Sequence, residues 1–168
     1  MSNISLPLAF TQRIQQQLGN EAVSFIEALT TTPPVSIRLN PNKTSGVLLN
    51  EKIDWCDTAS YLNERPVFTL DPRFHAGAYY VQEASSMFIG FALKQVIDFN
   101  QTLSAIDLCA APGGKTTHLL SLLNSASTLF SNEIISNRNS ILRENIVKWG
   151  CANAIVTQAN ADEFVTSG

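Results

Sequence analysis

Apolar residues near the start of the chain recur every fourth place, at Leu6, Phe10, Ile14 and Leu18, which on a helix forms one continuous stripe. Gly19 follows and predicts the stop. Asn20 then offers a side-chain oxygen as N-cap to a second helix. Its Val23, Phe25, Ile26 and Leu29 are expected to face a core before Thr30-Thr31-Thr32-Pro33-Pro34 breaks it. Residues 1–34 thus read as a helical segment.

From residue 35 the pattern changes to short β-like runs, at 35–39 and 67–70, separated by stretches holding Pro41, Gly46, Asn50 and Pro66. A helix is predicted over 82–97, where Met87, Phe88, Phe91, Leu93 and Val96 stand at near-helical spacing. Residues 35–100 are read as a small α+β subdomain. The remainder, 101–168, alternates by type: strand 103–108, helix 115–123, strand 128–131, helix 137–149, strand 154–157. Such alternation signals a parallel sheet with helices on its faces, an α/β arrangement. Gly150 stands where a helix ends on a left-handed residue.

Composition fits a globular chain: 45% of residues are hydrophobic and 15% charged. No run approaches a membrane span, and the first residues lack the basic and apolar regions of a secretory signal, so a cytoplasmic protein is expected. A net charge of -3 gives no global footprint for nucleic acid. The three cysteines, Cys56, Cys109 and Cys151, have no metal-ligand spacing, and neither a disulfide framework nor a metal site is indicated.

The stretch most informative about chemistry is Asp107-Leu108-Cys109-Ala110-Ala111-Pro112-Gly113-Gly114-Lys115-Thr116, because it leaves a strand and opens a helix. Small residues there let the backbone approach a ligand, and a helix N-terminus offers unpaired N–H groups. Gly-Gly-Lys-Thr resembles the end of a phosphate-binding P-loop, but Cys109 stands where that motif needs its first glycine. The dinucleotide pattern fails too, with Ala111 and Pro112 where backbone freedom is wanted. A nucleoside lacking phosphate remains, and Glu133, at the end of the next strand, can accept both hydroxyls of its ribose.

These residues, with Asn137-Arg138, Leu142-Arg143-Glu144-Asn145, Lys148-Trp149-Gly150, Ser36-Ile37-Arg38-Leu39-Asn40 and the run from His75 to Ser86, resemble the Sun/Fmu (RsmB/RsmF-like) family of S-adenosylmethionine-dependent RNA cytosine-5 methyltransferases. The resemblance covers about residues 35–165 and implies the amino-terminal fragment of such an enzyme. It implies the first half of a Rossmann-like class I methyltransferase sheet preceded by a small α+β module. It also implies that Cys109, Ala110, Ala111, Pro112, Gly113, Gly114 and Lys115 wrap the methionine end of S-adenosylmethionine, that Glu133 holds the ribose, and that Arg138 supports the same pocket. The adenine edge falls to Asn160 or to Asp162. The expected partner is RNA, ribosomal RNA before transfer RNA, and no membrane.

Methylation of cytosine at carbon 5 needs a cysteine thiolate to add at carbon 6. In the family two cysteines on strands beyond the third do this, so catalytic residues are expected beyond Gly168 and none within. Cys56, Cys109 and Cys151 read as packed residues more than as nucleophiles, and neither His75 nor His118 is assigned catalysis, His118 having a surface or packing role. Arg38, Lys43, Arg65 and Arg73 are candidate phosphate contacts, and Trp55, Tyr61, Phe74 and Tyr79 candidate stacking surfaces. The first parallel strand is expected to expose an unpaired apolar edge at Leu103, Ile106 and Leu108, so that the chain alone folds poorly or dimerises. Two other readings stand beside this one: a non-catalytic RNA- or protein-binding module derived from such an enzyme, and a P-loop-like nucleotide-binding protein.

Overall fold

The computed structural model describes residues 6–44, 46–47 and 51–165. Two compact units divide the chain, residues 1–34 and 35–168. In the first, α1 (Leu8–Leu18) and α2 (Ala22–Ala28) are joined by one 3-10 turn over Gly19–Glu21. Gly19 takes a φ of 53°, as its predicted role as a helix stop requires. Asn20 does not cap α2: it lies inside the 3-10 turn, and α2 starts with no side-chain cap. Ile14 and Ala22 are buried, whereas Val23, Phe25 and Leu29 are exposed. A helix of seven residues presents too narrow a face to bury the whole apolar set.

The second unit opens with an antiparallel sheet of order β2-β3-β1-β4. Its strands are β1 (Val35–Leu39), β2 (Glu51–Ile53), β3 (Cys56–Leu62) and β4 (Tyr79–Val81). Only β1 matches a predicted run. The run at 67–70 is a 3-10 turn over Phe68–Leu70, because Asp71 immediately caps α3 (Pro72–His75) by accepting the Arg73 N–H at 2.9 Å. Next comes α4 (Ala84–Lys94), capped by the Glu83 carboxylate, which accepts the backbone N–H groups of Ser85 and Ser86. These bonds hold the Glu83 carboxyl below its ordinary range, the Ser85 hydroxyl first among them. Met87 is fully buried with Ile53, Cys56, Ala59 and Ala84, while Phe88, Phe91 and Val96 are exposed.

The parallel sheet follows, with order β5-β6-β7 over β5 (Ser104–Asp107), β6 (Thr128–Asn132) and β7 (Ala154–Thr157). The connecting helices are α5 (Gly114–Leu122) and α6 (Ser136–Trp149), and α7 (Ala161–Val165) was not foreseen. Leu120 of α5 and Trp149 of α6 both pack on Leu129, with Ala105 and Ala154 beside it. Both helices therefore cover the same face, rather than one on each. The strand order advances in one direction, and successive right-handed crossovers then fall on the same side. The opposite face is bare: Ile106, Phe130 and Ile155 are lateral neighbours in register, and Ile106 and Ile155 are 44% and 46% exposed. Leu108 is exposed as well, and β5 has no strand on its outer side among the described residues.

Gly150 ends α6 at φ 83°, as its position predicts. Asn40 seals that end from a distance, its buried amide donating to Trp149 O at 2.8 Å and Gly77 O at 3.0 Å. No helix among the described residues is long and apolar enough to cross a membrane.

Two expectations follow. Ile155→Lys places a charge in the bare apolar row, and light scattering should show less self-association with the unfolding midpoint nearly unchanged. His118 is buried, its Nδ1 without a partner, and burial together with the Arg38 and Lys94 charges pushes its pKa down to about 3. The unfolded chain then binds the extra proton between pH 6.5 and about 3, so stability falls as pH drops through that window. Urea titrations should show His118→Gln removing up to about 1.4 kcal/mol per pH unit of that slope, and an identical slope in the variant would refute the assignment.

Candidate functional site

The loop after β5 is held from several sides, leaving its inner surface free. Ala110 and Ala111 are buried with Leu142 and Ile146 of α6, so only small side chains fit between the loop and that helix. The Ala110 N–H donates to Asn132 O at 2.8 Å, fastening the loop to the end of β6. The Ala111–Pro112 peptide is cis, and Pro112 O accepts from Asn145 Nδ2 at 2.7 Å and Tyr80 OH at 3.3 Å. Gly113 is the N-cap of α5 at φ 110°, a conformation an L side chain rarely adopts. No side chain caps this helix, leaving first-turn N–H groups and the positive end of the helix dipole directed at the loop.

Beside this loop lies a cavity of about 240 Å³. Cys109, Ala110, Ala111, Pro112, Gly114 and Lys115 form one side, and Gly113 is not among the lining residues. The other side is β4 and the start of α4: Tyr80, Val81, Gln82, Glu83 and Ser86. The sequence assigns none of that second group a role. Gly114 faces Gln82, whose amide nitrogen is 3.6 Å from where a Cβ on Gly114 would stand.

Glu133 and Arg138 do not line that cavity. The Glu133 side chain is nearly buried just past β6, accepting the Ile135 N–H at 3.0 Å, and Arg138 lies 3.4 Å from its other oxygen. Arg138 also donates to Ala111 O at 3.0 Å, which links the carboxylate to the loop. Asn160 stands apart: its backbone N–H donates to the Glu163 carboxylate at 2.8 Å where α7 begins, and both Asn160 and Asp162 are exposed. Two asparagines tie the strand ends together. Asn132 donates to Leu108 O and Ala159 O, and Asn139 donates to Glu133 O and Thr157 O.

Arg38 cannot contact a phosphate. It is fully buried between the antiparallel sheet and α5, where Nη1 and Nη2 donate to Ser121 Oγ, Gly114 O and Thr117 Oγ1 at 2.7–3.2 Å. Nε donates to Gln82 Oε1 at 2.9 Å, and the guanidinium lies 4.7 Å from the Trp149 ring centroid. Burial without a carboxylate partner pushes its pKa down to about 10. Of the other candidate RNA contacts, Tyr79 is buried with its hydroxyl on Asp71, Arg73 is paired with Asp71 at 2.9 Å, and Trp55 donates to Ala84 O. The Asp71 carboxyl is held down at about 2, chiefly by Arg73.

Comparison with known proteins matches two family models in succession. Residues 6–84 match the N-terminal domain of 16S rRNA methyltransferase RsmF, and residues 95–167 match 16S rRNA methyltransferase RsmB/F. The chain belongs to the RsmB/F family of rRNA methyltransferases. It is 30% identical to ribosomal RNA small subunit methyltransferase F of Aliivibrio fischeri and 32% identical to that of Vibrio vulnificus, over 96% and 97% of its length. It spans 37% of the length of each of these relatives. Among solved structures, a methyltransferase homolog from Pyrococcus horikoshii aligns at a TM-score of 0.79 with 25% identity, over 97% of this chain and 56% of that one. NSun6 from the same organism shares the fold at a TM-score of 0.74 and 15% identity, over 95% of this chain and 67% of that one. The Rossmann-like α/β class read from the sequence is the class of this RsmB/F chain.

If Arg38 fixes α5 and the loop, removing it should be costly. Arg38→Met is expected to lower the unfolding free energy by about 3 kcal/mol, since the buried acceptors it serves lose their donor. Arg38→Lys should recover little, because one ammonium cannot span partners set for a planar fork. Urea melts of the two variants check this, and wild-type midpoints in both would contradict it.

Proposed function

We propose that the chain is the amino-terminal part of an RNA cytosine-5 methyltransferase, that it binds S-adenosylmethionine, and that its substrate is ribosomal RNA. The reading is carried by the loop between β5 and α5: a left-handed glycine at an uncapped helix N-terminus, walled by buried alanines and open to a cavity. Cys109, Ala110, Ala111, Pro112, Gly113, Gly114 and Lys115 would hold the methionine end. The methionine carboxylate is matched by backbone N–H groups at that terminus. The Glu133 carboxylate, which accepts the Ile135 N–H and lies beside Arg138, would accept the ribose hydroxyls. Asn160 or Asp162 would reach the adenine edge.

When bound, the cofactor supplies a methyl group on a sulfonium. This chain's residues orient it and shield it on the β4 side, where Tyr80, Val81 and Gln82 line the cavity. No cysteine here is assigned the attack on carbon 6. Cys56 is buried 3.9 Å from His118, burial pushes the Cys151 thiol up, and Cys109 belongs to the cofactor loop.

Calorimetry of the chain with S-adenosylmethionine and with its demethylated product tests the reading. Both should release heat, and Glu133→Gln should weaken them about tenfold by removing a charge-assisted acceptor. Absence of heat with either compound in a folded sample would sink the proposal.

A further inference from the structure

A second concavity, of about 280 Å³, adjoins the first and shares Tyr80 and Val81 with it. Its lining is aromatic and cationic, with Phe68, Phe74, Tyr79 and Trp149 alongside Arg65 and Lys148. Phe68, Phe74 and Tyr79 form a closed triangle, with ring centroids 6.1–6.4 Å apart. Phe68 and Phe74 keep part of their surface in solvent. Arg65 stands 5.8 Å from the Phe68 centroid, and Lys148 5.5 Å from that of Phe74. A third cation, Lys43, donates to Ala76 O at 2.7 Å, next to the lining residue Gly77.

This grouping of cations runs against the chain's net charge of -3. Asp71 and Glu144, the acids in contact with its residues, are each already engaged or exposed. Asp71 is taken up by Arg73 and the Tyr79 hydroxyl, and Glu144, which pairs with Lys148 at 2.7 Å, is exposed and so screens only weakly. No ion pair to Arg65 forms among the described residues. Flat rings beside Arg65, which has no ion pair among the described residues, and Lys148, held only by an exposed carboxylate, suit a ligand with a π face and an anionic backbone, which describes a nucleotide of a single strand.

We propose that this concavity is a nucleotide subsite. It takes a base of single-stranded RNA against Phe68 and Phe74, with Arg65 and Lys148 on the adjoining phosphates, and seats a residue flanking the one presented at the cofactor loop. The proposal rests on the RNA methyltransferase reading above, and the wall shared through Tyr80 and Val81 makes the two sites neighbours along one strand.

Fluorescence anisotropy with a labelled single-stranded RNA of about ten nucleotides tests it on the full chain, with calorimetry of S-adenosylmethionine run on the same samples. Phe74→Leu should weaken RNA binding about fivefold or more through lost stacking. Arg65→Gln, at an exposed position that leaves folding intact, should weaken it and flatten its salt dependence by one phosphate contact. Neither should alter cofactor affinity. RNA affinity that neither substitution changes, or no RNA binding in a sample that binds cofactor, overturns the subsite and leaves the loop reading standing. RNA binding sensitive to both substitutions in a sample without cofactor affinity supports the subsite and removes the loop reading. Competition by an acidic peptide at the strength of RNA also overturns the proposal, because it would assign the surface to a protein.

Discussion

A buried guanidinium organises this molecule. Arg38 comes from the middle of β1, and its donors end on α5 and on Gln82, so a charge desolvated under the antiparallel sheet is satisfied largely by the first helix of the parallel layer. An arginine left unpaired there would cost several kcal/mol. The antiparallel sheet and α5 consequently cannot separate without stranding it. Four partners in different directions also determine where the first turn of α5 stands, and the loop before α5 inherits that position. Asn40, two residues on, performs a similar office at the far end of α6. One short strand thus reaches both helices of the parallel layer.

The candidate site shows how a loop can be rigid while its own donors stay free. Its fastening is done mostly by groups outside the cavity: Thr116 Oγ1 donates to Asp107 at 2.8 Å, Asn145 holds Pro112 O and Arg138 holds Ala111 O, while Tyr80, a wall of the cavity, adds a hydroxyl bond to Pro112 O. Polar groups that bind a ligand are most useful when they need no rearrangement first. The asparagines at 132 and 139 extend the arrangement across all three strand ends, keeping Glu133 in line with the loop.

The parallel half was legible because its signals are local. Strand, glycine-rich turn, helix and Gly150 stop each depend on a few adjacent residues, and β7 has the bounds its pattern suggests. The antiparallel half was largely illegible. In β3, Cys-Asp-Thr-Ala-Ser-Tyr-Leu buries small and polar residues such as Ala59 and Ser60 by cross-strand pairing, which leaves no alternation to read. The run at 67–70 misled because its apolar residues serve a tight turn between two prolines. The sequence alone suggests a surface cation at Arg38, because an arginine's burial depends on partners about eighty positions away. The loop residues and Glu133 were visible as chemistry. The β4 wall of the cavity was not, since nothing in its sequence says which sheet it will face.

The one-directional order of the parallel strands carries a consequence for whatever joins the sheet next. A parallel strand docking beyond β5 would have to be reached by travelling back across the sheet, and a right-handed connection made in that direction passes over the opposite surface. The helix of that connection would settle on Ile106, Phe130 and Ile155. The handedness of the backbone alone would direct such a helix to the uncovered side, where Ile106 and Ile155 are exposed and Phe130 is half-buried.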